Sequence, residues 1–92
     1  MQLKRIECLV RGRVQMVMFR DFTKRGARAL GLTGFVRNNP DGTVTATAEG
    51  AEPELQKLIK RIHRGSLLSR VDEVKVEWKE ATGEYKSFDI MY

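Results

Sequence analysis

The chain has 92 residues, 41% hydrophobic and 32% charged, the make-up of one small globular domain and too apolar for disorder. Its net charge of +5 is unevenly placed: nine basic and two acidic residues precede Asp41, and eight basic and ten acidic residues follow from Asp41 onward. A single cysteine and a single histidine exclude a disulfide framework and an ordinary tetrahedral zinc site, and no apolar run is long enough to span a bilayer.

The opening Met1-Gln2-Leu3-Lys4-Arg5 does not read as a signal peptide, so a reduced, cytoplasmic setting with no metal and no cofactor is expected. An anionic partner belongs on the basic first half, although plain surface solubilisation explains the same charges.

From Lys4 to Gly12 the pattern is a strand, with Ile6, Cys8 and Val10 on one face and Glu7, Leu9 and Arg11 on the other. Arg13 to Met18 breaks that alternation. Phe19, Phe22, Gly26, Ala27 and Leu30 then fall on one side of a helix that Gly31 stops. Thr33 to Asn38 is a second strand. Asn39-Pro40-Asp41-Gly42 is a turn, because proline presets φ and Asp and Gly accept the tight positions after it. Val44, Ala46 and Ala48 alternate with Thr43, Thr45 and Thr47, completing a hairpin.

A second helix begins near Pro53, with Glu52 and Glu54 at its positive end and Leu55, Leu58, Ile59 and Ile62 as its apolar stripe. Lys60, Arg61, His63 and Arg64 suit its negative end, and Gly65 closes it. Val74, Val76 and Trp78 mark a fourth strand, and Phe88, Ile90 and Tyr92 a short last one. Trp78, Phe88 and Tyr92 read as packing residues, and Cys8 as a small core residue.

The order β-α-β-β-α-β plus a terminal strand predicts one α+β domain over residues 1–92. Its compact form is a ferredoxin-like sandwich: an antiparallel sheet in the order 4-1-3-2, a short C-terminal edge strand, and two helices on one face. Strands one and two then run parallel with strand three between them, so their C-terminal ends share an edge about 10 Å apart. The first helix starts at that edge and offers free N–H groups and a positive dipole end. Arg20 sits at the helix start, where its planar guanidinium can grip a phosphate, and Asn38 lies across the gap with an amide that both donates and accepts. This set has the look of a phosphate clamp with a group that holds a water.

The run Gly12-Arg13-Val14-Gln15-Met16-Val17-Met18-Phe19-Arg20 resembles the acylphosphatase signature G-x-V-Q-G-V-x-F-R. Gly34-Phe35-Val36-Arg37-Asn38, continuing to Gly42-Thr43-Val44, is similar to the second signature of that family. Gly65-Ser66-Leu67-Leu68-Ser69-Arg70-Val71 resembles a third stretch. The resemblance implies hydrolysis of small acyl phosphates to a carboxylate and inorganic phosphate. It implies that Arg20 binds the phosphate with the amides of Gln15, Met16, Val17, Met18 and Phe19, and that Asn38 orients the attacking water. Chemistry of this kind needs no general acid, because the departing carboxylate has a pKa of about 4.

Met16 departs from the pattern, standing where the family has glycine. A positive φ there would cost about 1–2 kcal/mol. Two alternative readings follow: a phosphate- or partner-binding domain whose activity Met16 has weakened, and a ferredoxin-like RNA-binding module. The second requires exposed rings on the central strands, and strands one and three supply none. The expected partners are a small acyl phosphate and inorganic phosphate, with no specific nucleic acid and no membrane. A monomer is expected.

Overall fold

A computed structural model describes residues 2–92. Its elements in chain order are β1 (Leu3–Arg13), α1 (Phe19–Ala29), β2 (Thr33–Asn38), β3 (Val44–Ala51), α2 (Glu52–Arg64), β4 (Arg70–Glu80) and β5 (Phe88–Met91). The strands form one sheet in the order β4-β1-β3-β2-β5. The first four pair antiparallel in the order expected, and β5 runs parallel to β2, so the complete sheet is mixed. No helix is long and apolar enough to cross a membrane.

Ile6, Cys8 and Val10 of β1 share the helix-covered face with Val36, Val44, Ala46 and Ala48, and α2 presses Leu55, Leu58 and Ile62 into the same core. Each aliphatic side chain so buried contributes roughly 1.5–3 kcal/mol. From α1 come Phe19 and Ala27, and from β5 Phe88. Cys8 lies inside this core, where desolvation pushes its thiol up to about 12. It is an inert packing residue.

Two glycines let backbones meet. Gly12 (φ 134) sits where a β-bulge shifts the β1–β4 register, and a Cβ there would collide with the Arg70 carbonyl. Gly34 (φ 139) lies equally close to the Thr47 carbonyl. The bulge lets β4 begin at Arg70, four residues before the first apolar position of its alternation.

The opposite sheet face is covered by the segment between β4 and β5. Glu49 accepts the amides of Thr82 (2.9 Å) and Gly83 (3.0 Å) and lies 3.1 Å from the Arg5 guanidinium. Burial alone would raise this carboxyl, but the two amides, the Thr82 hydroxyl and Arg5 hold it below the usual carboxylate range. Tyr85, on the same segment, packs against Phe35 of β2 and accepts Arg5 at 2.7 Å through its hydroxyl oxygen. The outer face therefore has a ring on β2, while β1 and β3 have none.

Two expected packing residues are not in the core. Phe88 is buried, but Trp78 is 42% exposed at the far end of the edge strand β4, and Tyr92 is 97% exposed one residue past β5. Trp78 lies on a strand with a partner on one side only, and Tyr92 lies past Met91, the last paired residue of β5.

Candidate active site

Between β1 and α1 the chain alternates buried anchors with outward residues. Val14 and Val17 enter the core, whereas Met16 is 96% exposed and Met18 69%. Both methionines are left-handed, with φ 58 and φ 62, so the conformation natural to glycine is adopted by two residues that carry a Cβ. The loop is held from two sides. Gln15 donates its side-chain amide to the carbonyls of Asn39 (2.8 Å) and Thr43 (2.9 Å), and Ser66 donates its hydroxyl to Val17 at 3.3 Å.

Helix α1 starts without a side-chain cap. Its first helical bond runs from the Phe22 amide to the Met18 carbonyl at 3.0 Å. Among the described residues, the amides of residues 15–21 reach no protein acceptor. A row of free N–H groups at the positive end of a helix dipole is an environment for an anion.

Arg20 follows directly. Its guanidinium lies over the Tyr92 ring, 5.1 Å from the centroid. Among the described residues, six of the nine cations before Asp41 pair with carboxylates: Lys4, Arg5, Arg11, Lys24, Arg25 and Arg28. Arg13, Arg20 and Arg37 have no such partner. Arg13 ends β1, Arg37 precedes the last residue of β2, and Arg20 opens α1, so the unneutralised charge collects at one sheet edge.

Asn38 is the last residue of β2, paired with Val44, which also pairs with Val10 of β1. Asn38 thus lies two strands from β1, as expected. Its Oδ1 is buried and has no hydrogen-bond partner among the described residues. The role of turn cap belongs to its neighbours. Asn39 donates to the Thr43 and Thr45 hydroxyls at 2.9 and 2.8 Å, and Asp41 accepts the Thr43 amide (3.0 Å) and hydroxyl (2.6 Å). Those bonds to Thr43 hold the Asp41 carboxyl below its ordinary range. A buried carbonyl oxygen without a donor is costly unless something else meets it.

Arg20 also lines a cleft of about 540 Å³, with Met16, Met18, Phe19 and Tyr92 among its walls. Tyr92 enters the site although its sequence pattern assigned it to packing. Parallel pairing of Arg37 with Met91 brings the end of β5 beside the end of β2, and local alternation carries no signal of that pairing. Among the described residues, no three His, Cys, Asp or Glu side chains gather as metal ligands.

Fold and site together define a ferredoxin-like α+β domain with free amides, an unpaired arginine and an orphaned carboxamide at one sheet edge. The acylphosphatase family model matches residues 6–90, and the chain belongs to that family of hydrolases. A curated acylphosphatase of Salinibacter ruber is 44% identical over 95% of this chain and 92% of its own length. One from Pelotomaculum thermopropionicum is 40% identical over the whole of both chains. Among solved structures, the Bacillus subtilis acylphosphatase superposes with a TM-score of 0.94 at 35% identity, covering 97% of this chain and 99% of that one.

Proposed function

We infer that the chain hydrolyses the carboxyl–phosphate bond of small acyl phosphates, with Arg20 and the amides of Gln15 to Phe19 holding the phosphate and Asn38 positioning the water. The observation that carries this reading is the place of Asn38 at the end of β2, on the edge that also holds Arg20 and the free amides. The Nδ2 of the Asn38 carboxamide is not buried and has no protein partner among the described residues, so it can donate to a water and leave a lone pair of that water facing a phosphate held at the loop.

In the reaction the water oxygen bonds to phosphorus on the side opposite the leaving group. The P–O bond to the acyl group breaks with its electron pair left on the carboxylate, and the proton of the water passes to the phosphate product or to solvent. Positioning and charge stabilisation suffice for such a loose, in-line transfer. Arg20 and the N–H groups oppose the charge on the equatorial oxygens. Cys8 takes no part, being buried and neutral.

The reading in which Met16 silences the site is not favoured. Met16 takes the left-handed conformation that glycine would take and turns its side chain to solvent, so the loop keeps its path at a local cost of about 1–2 kcal/mol.

Steady-state hydrolysis of benzoyl phosphate, with and without EDTA, tests this function. Turnover is expected to persist in EDTA. Asn38→Ala is expected to lower kcat by about 10²–10³ while inorganic phosphate still competes with unchanged affinity. Arg20→Ala should weaken phosphate binding and turnover together. A folded Asn38→Ala protein working at the parent rate would overturn the mechanism.

A further inference from the structure

Strand β4 stands at one edge of the sheet, with β1 as its sole neighbour. It runs for 11 residues, Arg70–Glu80, without proline or glycine, so its outward N–H and C=O groups form a long open template. Val74, Val76 and Trp78 lie in register with Val10, Cys8 and Ile6 on the helix-covered face. Glu73, Lys75, Glu77 and Lys79 alternate with them on the other face and are exposed.

Within the chain, the middle of this charge row is left unsatisfied. Arg11 takes Glu73 at 3.4 Å, and Lys79 reaches Glu7 at 2.8 Å. Lys75 lies opposite Leu9, and Glu77 lies opposite the like charge of Glu7. Among the described residues, neither Lys75 nor Glu77 is paired with an opposite charge.

The row is complementary to itself. When two copies of β4 meet antiparallel about a two-fold axis at Val76, Lys75 of each stands opposite Glu77 of the other, and Glu73 opposite Lys79. On the helix-covered face Val76 then meets Val76, and Val74 meets Trp78, which is half exposed in the single chain. Pairing that keeps the apolar side chains on one face can move the axis only by whole residues. An axis at Lys75 sets Lys75 against Lys75 and Glu73 against Glu77. One at Glu77 sets Glu77 against Glu77 and Lys75 against Lys79. Both neighbouring registers thus oppose like charges. The β-bulge opposite Gly12 takes Asp72 out of the regular ladder and limits the match to residues 73–79. Asp72 and Glu80 approach each other at its ends, and each holds a cation of its own chain, Arg70 at 3.0 Å and Lys4 at 3.4 Å.

We propose that β4 is the contact between two copies of this chain, which pair edge to edge in that register and extend the sheet across the two-fold axis. The monomer expected from the sequence is then the dilute form.

Sedimentation equilibrium over a range of protein concentrations tests this, with the emission of Trp78, the only tryptophan, as a local readout. The parent is expected to dimerise as concentration rises, with Trp78 emission moving to shorter wavelength. Lys75→Glu and Glu77→Lys each bring like charges together twice per dimer and should raise the dimer Kd about ten-fold or more. An equimolar mixture of these two variants restores opposite charges at both positions, as does the swap Lys75→Glu/Glu77→Lys in one chain. Both should associate as the parent does. Lys75 and Glu77 are exposed and outside the phosphate site, so the variants should keep the fold and the parent's turnover of benzoyl phosphate. A parent that stays monomeric at every concentration overturns the proposal, as do single variants that associate like the parent. A mixture and swap no better than the single variants, or association that leaves Trp78 emission unmoved, overturns it equally.

Discussion

The Arg20 guanidinium rests on the face of the Tyr92 ring, 5.1 Å from its centroid, and the ring lies beyond the last strand instead of within the core. An exposed contact of this kind contributes about 0.5–1 kcal/mol. If Arg20 holds the phosphate as proposed, Tyr92 acts on it through the orientation of that guanidinium. Tyr92→Leu is expected to raise KM and the inhibition constant of phosphate about two- to five-fold with little change in kcat. Tyr92→Phe keeps the ring and should behave as the parent. Equal defects in the two variants would show that the hydroxyl matters, not the ring.

Gln15 ties the loop to the β2–β3 turn through two bonds, at 2.8 and 2.9 Å. Both acceptors keep another partner when it is removed, since the Asn39 carbonyl takes Gly42 and the Thr43 carbonyl takes Asn39. Gln15→Ala should therefore destabilise the fold by only about 1–2 kcal/mol while loosening the loop. Thermal unfolding with phosphate titration checks this: a small fall in Tm should accompany markedly weaker phosphate binding. A variant that binds phosphate as the parent does would limit Gln15 to fold stability.

Met16 carries strain that glycine would not. Relief of a left-handed residue gains about 1–2 kcal/mol, and the extra freedom of glycine in the unfolded chain returns about 0.4–1 of it. Met16→Gly should stabilise the protein slightly, by about 0.5–1 kcal/mol, and should maintain turnover of acetyl phosphate. A clear drop in Tm on chemical or thermal denaturation would mean that the methionine side chain is stabilising in its own right.

Glu49 makes stability depend on pH. Its carboxyl is held down in the folded protein, so its contribution is complete above the unfolded value of about 4.3 and is lost as pH falls through the lower folded value. Glu49→Gln removes the charge that Arg5 faces and should be less stable than the parent at pH 7 by about 1.5–3 kcal/mol. Urea unfolding between pH 7 and pH 3 is expected to show that difference shrinking below about pH 4. A difference constant across the range would mean that Glu49 acts by shape alone.

Local pattern carried far in this chain. The alternation Ile6, Cys8, Val10 and the stripe Leu55, Leu58, Ile62 are buried as their spacing requires, because amphipathic segments have one way to hide an apolar face. Pro40, Asp41 and Gly42 make the turn because their own backbone preferences demand it, with Gly42 at φ 93. The signature runs around Arg20 and Asn38 are likewise readable residue by residue.

Three features depended on contacts distant in sequence. The β4 start at Arg70 relies on a bulge opposite Gly12, the parallel seat of β5 on β2 places Tyr92 under Arg20, and Glu49 is buried by residues more than thirty positions away. Asn38 differs from Asn39 in the same way: the two stand side by side in the chain, and only the fold gives the Asn39 amide two hydroxyl acceptors and leaves the Asn38 oxygen without a donor among the described residues. Sequence by itself determined the elements, their order and the side chains at the edge, since those follow from local preference and periodicity. Which of these side chains are paired, and which are left free, was decided by the tertiary structure, because pairing depends on neighbours that chain connectivity does not supply.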